Sequence, residues 1–181
     1  MNQFRKNFKP SILDRINTLY YSIRGVEIGN GSFIQWGSKI ERFYKNVSIG
    51  SNVIIKPGSR ICACNSKAKI LIGNSTSIGH YTFIYSSKFI KIGSDCMIAP
   101  FNYFVDSNHQ TTLGVKLMMQ ENDTEQIIIG DDCWIGQGCT IVMGGNMSNG
   151  SILGAKSFLN ISTVENSIYT GIPAKIISKR K

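Results

Sequence analysis

The sequence predicts an all-β chain wound as a parallel β-helix, and three observations carry that expectation. Aliphatic residues recur every six positions, small residues follow four positions after them, and glycine follows the first aliphatic of each triplet. The aliphatic column runs through Ile28, Ile34 and Ile40, then Ile49, Ile55 and Ile61, then Ile72, Ile78 and Ile84, then Ile92, Ile98 and Phe104. It ends in an unbroken series, Ile129, Ile135, Ile141, Met147, Leu153 and Leu159. The small column holds Ser32, Ser38, Val53, Ser59, Thr76, Thr82, Cys96, Cys133, Cys139, Ser151 and Ser157. Gly29, Gly50, Gly73, Gly93 and Gly130 mark the larger period of three hexapeptides. Each hexapeptide then supplies one short strand and one corner of a triangular coil, with the aliphatic side chain pointing inward. One coil cannot bury its own apolar face, so stability comes from stacking neighbours.

The N-terminal segment has a different period. Phe4, Phe8, Ile12, Ile16, Leu19 or Tyr20, and Ile23 recur at helical spacing, and Ser11 with Asp14, after Pro10, resembles a capping box. This predicts a helix over about residues 11 to 23, inside an amphipathic cap of residues 1–25 that covers the open first coil. A second use is open for the same segment: Arg5, Lys6, Lys9 and Arg15 form a basic face suited to peripheral contact with the anionic inner membrane surface. The β-helix is expected over residues 26–177, followed by a basic tail, 178–181.

Composition sets limits on partners and compartment. Lys and Arg total 20 against 11 Asp and Glu, a net charge of +9 over 181 residues, which favours an anionic partner without choosing one. No secretory h-region and no apolar run of about 20 residues is present, so a cytoplasmic location is expected. The five cysteines form no CxxC pair. Cys96, Cys133 and Cys139 occupy the small inward column and read as packing residues, while Cys62 and Cys64 stay unassigned.

One coil breaks the rhythm. After Phe104 the chain reads Val105-Asp106-Ser107-Asn108-His109 and does not resume the repeat until Ile127, so a loop of about eighteen residues, near 107–126, leaves the solenoid. Taken by itself, His109 reads as an ordinary loop histidine on a polar turn. Asp106 and Asn108 beside it are common turn formers. His80 follows Gly79 and reads as surface structure.

An ordered set of motifs now becomes specific: Ile92-Gly-Ser-Asp-Cys-Met-Ile-Ala-Pro100, the histidine, the extruded loop, Ile129-Gly-Asp-Asp-Cys-Trp-Ile-Gly136, and the ending Gly171-Ile-Pro-Ala-Lys175. Together, over about residues 26 to 177, they resemble the left-handed β-helix O-acetyltransferases, the hexapeptide-repeat family of maltose and galactoside acetyltransferases and of enzymes that acetylate bacterial surface polysaccharides. The resemblance implies a left-handed parallel β-helix and direct transfer from acetyl-coenzyme A, with His109 as general base and no metal; imidazole, with an unperturbed pKa of about 6.5, suits the removal of a proton from an alcohol, a poor nucleophile at neutral pH. On that reading Asp106 and Asn108 orient the ring or touch the acceptor. It implies a homotrimer with sites between subunits, and coenzyme A lying along Trp134, Gly136, Gln137, Ala155, Lys156 and Ser157. Lys175 and Lys179, with Arg180 and Lys181, place positive charge where the nucleotide 3′-phosphate is expected. The galactoside-type acceptor contacts are replaced by Gly79 and Ser87, which leaves Tyr85, Ser86 and Lys88 as candidate acceptor contacts and shifts the expected acceptor to a polysaccharide or glycan-precursor hydroxyl.

Rival functions are weighed on the same residues. Two histidines cannot build the three-histidine zinc site of a γ-class carbonic anhydrase. Nucleic acid binding is suggested by charge alone. Transfer to the amine of an amino sugar or antibiotic is the nearest enzymatic alternative, and a structural β-helix or interaction protein the non-enzymatic one.

Overall fold

The computed structural model describes residues 8–181. Residues 1–7 lie outside it, and with them Phe4, Arg5 and Lys6 of the expected N-terminal face. The fold is the expected parallel β-helix of hexapeptide repeats, with three sheets running along a prism. The first sheet holds Glu27–Ile28, Val47–Ile49, Lys69–Ile72, Phe89–Ile92 and Ile127–Ile129. The second begins at Phe33–Ile34 and ends in an antiparallel hairpin of Ser167–Gly171 and Ala174–Lys179. The third has six strands, from Lys39–Arg42 through Arg60–Ala63, Phe83–Ser86, Tyr103–Val105 and Thr140–Val142 to Phe158–Leu159.

The sequence columns are the ladders of this prism. Ile34 stands over Ile55, Ile78, Ile98, Ile135 and Leu153 in strict register. Ile40, Ile61, Ile84, Phe104, Ile141 and Leu159 form the matching column of the third sheet. Every one of these side chains is buried, and so is every member of the small column. Cys96, Cys133 and Cys139 pack there, as expected. Parallel strands buried on the inner face need an aliphatic at each contact, and the corners need small residues because consecutive coils approach closely there. At Gly79 an added Cβ would lie 2.4 Å from the backbone carbon of Ala99.

The expected helix is α1, Ile12–Ile23, with Ser11 as N-cap and a reciprocal capping box to Asp14. It lies over the first coil through its polar side. The residues turned to the first coil are polar: Asp14 and Asn17 are buried, with Tyr21, whereas Ile12, Leu13, Ile16, Leu19, Tyr20 and Ile23 are exposed. The physical reason is that the lowest coil presents an unpaired strand edge, and backbone groups there need partners before apolar contact. Asp14 Oδ1 accepts from the Trp36 N–H at 2.8 Å, Thr18 Oγ1 accepts from the Ile34 N–H at 2.9 Å, and Asn17 Nδ2 donates to the carbonyls of Ile34 and Gln35 at 3.1 Å each.

Burial alone would raise the Asp14 carboxyl, but the N–H groups of Trp36 and Ser11 and the Ser11 hydroxyl outweigh it and hold its pKa below the ordinary value. A depressed folded pKa adds stability that is present above about pH 4 and is lost as pH falls through the lowered value. Asp14→Ala is expected to cost about 2 kcal/mol at neutral pH, and urea titrations should show that difference shrinking below about pH 4.

Candidate active site

The departure of the chain from the prism is built around Asp106. Its side chain is wholly buried, and Oδ2 accepts from Ser86 Oγ at 2.7 Å and from the N–H groups of Lys88 and Phe89 at 3.0 and 2.8 Å. Oδ1 accepts from the Ser87 N–H at 2.5 Å. The carboxylate therefore pins the corner of the coil below, residues 86–89. Two expectations are corrected by this geometry. Asp106 faces away from solvent and is held by four donors, so it neither orients the imidazole nor meets an acceptor. Ser86, also fully buried, spends its hydroxyl on Asp106 and on the Lys69 carbonyl and makes no acceptor contact.

From that pin the chain enters an arm. Ser107–His109 pairs antiparallel with Asn122–Thr124, His109 opposite Asn122. Further out, Gln120 Nε2 donates to the carbonyls of Thr112 and Val115 at 3.1 and 2.9 Å, and a 3₁₀ turn spans Leu117–Met119. The loop expected near 107–126 is thus a braced hairpin arm, with Leu113 99% and Met118 85% exposed at its far end.

His109 is exposed at the base of the arm and lines a cleft of about 510 Å³. Asn108 lies beside it, with Oδ1 accepting from the His109 N–H at 3.0 Å. The cleft continues down the third sheet past Tyr103 and Tyr85 to Cys64 and Arg42, and Asn122 and Ser107 complete its upper wall. Tyr85 and Tyr103 meet edge to face at 6.1 Å. Burial, and then the charge of Glu41, push the Tyr85 phenol up, so it stays protonated and can donate. Arg42, in the left-handed region at φ 66°, donates from Nη1 to the Cys64 carbonyl at 2.9 Å. Among the described residues lining the cleft there is one full positive charge, Arg42, and no carboxylate.

Of the expected acceptor contacts, then, Tyr85 lines the cleft with His109 and Asn108, and Lys88 does not. The Lys88 ammonium turns to the arm and donates to the Thr124 carbonyl at 3.3 Å. Sequence reasoning missed Arg42, Cys64, Tyr103 and Asn122. Tyr103 carried a signal, since the residue before an inward Phe104 must point outward and stack over Phe83. The others sit at corners or in the arm, where no period applies.

The expected coenzyme track lies elsewhere on the prism. Trp134, 48% exposed, stands between Met97 and Ile152 on the second sheet and borders a groove of about 170 Å³ with Lys56, Ser77, Gly79 and Pro100. Gly136 is buried, and an added Cβ there would lie 2.5 Å from the Ala155 nitrogen. Gln137, Ala155 and Lys156 are exposed at the next corner, where the Lys156 N–H donates to the Gln137 carbonyl at 2.8 Å. Ser157 is corrected: its side chain is buried, donating to the Gly154 carbonyl at 2.6 Å, and is not available to a ligand. Lys175 and Lys179 are exposed on the closing hairpin, and Arg180 is tied to Asp132 at 2.6 Å. His80 is exposed as expected, its pKa lowered by partial burial and then by Lys56. The His109 cleft and the Trp134 groove share no lining residue within one chain.

No family model matches the chain. It is 28% identical over 142 residues to a putative lipopolysaccharide biosynthesis O-acetyl transferase, WbbJ, of Escherichia coli (strain K12), covering 74% of this chain and 72% of that protein. It is 36% identical over 115 residues to a probable macrolide acetyltransferase of Lysinibacillus sphaericus, covering 60% of this chain and 62% of that one. In structure it is similar to AntD, an N-acyltransferase from Bacillus cereus in complex with dTDP and 3-hydroxybutyryl-CoA, at a TM-score of 0.79, 22% identity, and coverage of 91% and 88% of the two chains.

Proposed function

We propose that this chain is an acyltransferase of the hexapeptide-repeat β-helix class using acetyl-coenzyme A as cosubstrate, and within that class an O-acetyltransferase acting on a saccharide hydroxyl of a surface polysaccharide or glycan precursor, with His109 as general base. The observation that carries the reading is the placement of the exposed imidazole at the head of a cleft walled by two tyrosines, an asparagine pair and a cation. Tyrosine and asparagine side chains suit the hydroxyls and ring faces of a sugar. The relative whose name specifies an O-acetyl transferase of lipopolysaccharide synthesis supports the acceptor class.

In the proposed step a ring nitrogen of His109 takes the acceptor hydroxyl proton as the oxygen attacks the thioester carbonyl. The C–S bond then breaks, and the imidazolium returns its proton to the departing thiolate. The acetyl-coenzyme A arm runs over Trp134, Gly136, Gln137, Ala155 and the backbone near Lys156, with Lys156, Lys175 and Lys179 as partners for its phosphates. Because the cleft and the groove share no residue in one chain, the complete site forms between subunits of a homotrimer, with the arm reaching the neighbour. The proposed use of a coenzyme A donor supports reading the reaction as cytoplasmic.

Acetyl-coenzyme A mixed with a panel of neutral and anionic saccharides, nucleotide sugars and surface oligosaccharides should release free thiol only in the presence of acceptor, and product NMR should show an ester. An acetamide product would move the reaction to amines, and thiol release that ignores acceptor would remove the assignment.

A further inference from the structure

The exposed side of α1 is the feature the proposed transfer does not use. Ile12, Ile16, Leu19 and Ile23 are 72%, 53%, 60% and 77% exposed, with Leu13 and Tyr20 at 44% and 46%. At about 100° per residue these six fall on one arc of roughly 120°, opposite the buried Asp14, Asn17 and Tyr21. Arg15 borders the arc on one side and Arg24 on the other, and Lys9 precedes it. The only carboxylate of the helix, Asp14, is committed to the first coil. A soluble surface rarely aligns so many aliphatic side chains on a helix held from its polar side.

We propose that this arc docks the protein on an anionic phospholipid surface, with the aliphatic side chains entering the headgroup boundary and Arg15, Arg24 and Lys9 meeting lipid phosphates. The charges select that occupant. A second copy of the chain would bring the same cations against each other with no carboxylate on the arc to answer them, whereas an anionic bilayer offers the apolar depth and the complementary charge together. Arg24 is already positioned at the margin: its guanidinium lies 4.5 Å from the Tyr44 ring centroid and donates to the Tyr20 hydroxyl at 3.2 Å, which orients it along the edge of the arc. Among the described residues no helix is long and apolar enough to cross a membrane, and a 12-residue helix of about 18 Å lies on a bilayer. Docking is thus led by the aliphatic arc, with the basic residues at its rim.

The test is sedimentation of the full chain with phosphatidylcholine vesicles, with and without phosphatidylglycerol, at several salt concentrations. The wild-type protein should pellet with phosphatidylglycerol vesicles, and Ile16→Glu with Leu19→Glu should weaken that binding by about tenfold or more. Arg15→Glu should weaken it several-fold, with the effect fading at high salt. If the acidic pair lowers the melting temperature, Ile12→Ser with Ile23→Ser, nearer the helix ends, repeats the measurement. Wild-type protein left in the supernatant at low salt, or variants that pellet like wild type, would overturn the proposal. A changed subunit count by light scattering in the acidic pair would also overturn it and make the arc a face between copies. None of these readouts depends on acetyl transfer, so this proposal and the enzymatic one stand or fall separately.

Discussion

Replacing His109 with alanine should lower kcat/KM for acetyl transfer by a factor on the order of 10² to 10⁴, the range a single general base contributes. The loss should fall on kcat, with KM for acetyl-coenzyme A little changed, because the proposed coenzyme groove around Trp134 shares no residue with the His109 cleft of the same chain. The fold should be untouched, since the ring is exposed at the base of a hairpin held by its own strand pairing. His109→Gln preserves much of the shape and polarity but cannot accept and return a proton, so it should be nearly as inactive as alanine. Activity in His109→Gln close to wild type, measured by thiol release in the presence of acceptor, would leave the ring a binding contact only.

Asp106→Ala should be the most destabilising single substitution near the cleft, by about 4 kcal/mol, which for a chain of this length lowers Tm by roughly 12 °C. It strips the partner from three backbone N–H groups and one hydroxyl at once, inside the prism. Asp106→Asn should recover little. The amide keeps one oxygen, but its NH₂ takes the place of the other acceptor and faces donors that have nothing to give it. If instead Asp106 acted on the imidazole, the asparagine variant would keep its melting temperature and lose activity. Differential scanning calorimetry alongside thiol release separates the two outcomes.

The columns of the solenoid were legible because each inward position repeats the same packing demand, so Ile34 and Ile78 answer one requirement two coils apart. The break at His109 was legible for the opposite reason, as the one place where that demand lapses. Polar residues carried less information. Asp106 and Ser86 are as plausible facing solvent as facing each other, and only the closing of the coil brings four donors onto one carboxylate. The helix shows the same limit. Its spacing revealed an apolar stripe but not what the stripe faces, because the partner, an open strand edge, is created by the fold and asks for hydrogen bonds. Arg42 and Cys64 reach the cleft from coils below by vertical stacking, a relation that no spacing within one coil records.

That vertical stacking also acts as a ruler. The third sheet climbs from Lys39–Arg42, in the coil that α1 covers, to Tyr103–Val105, just before His109, in three rungs of parallel strands. At about 4.8 Å per rung this is roughly 14 Å, fixed by hydrogen bonds rather than by a flexible tether. With the capped end resting on a surface, the reactive height above it comes in whole coils. On the proposed docking and with the proposed saccharide acceptor, adding or removing one coil would change which unit of a surface-bound chain comes level with His109, leaving the residues of its cleft unchanged.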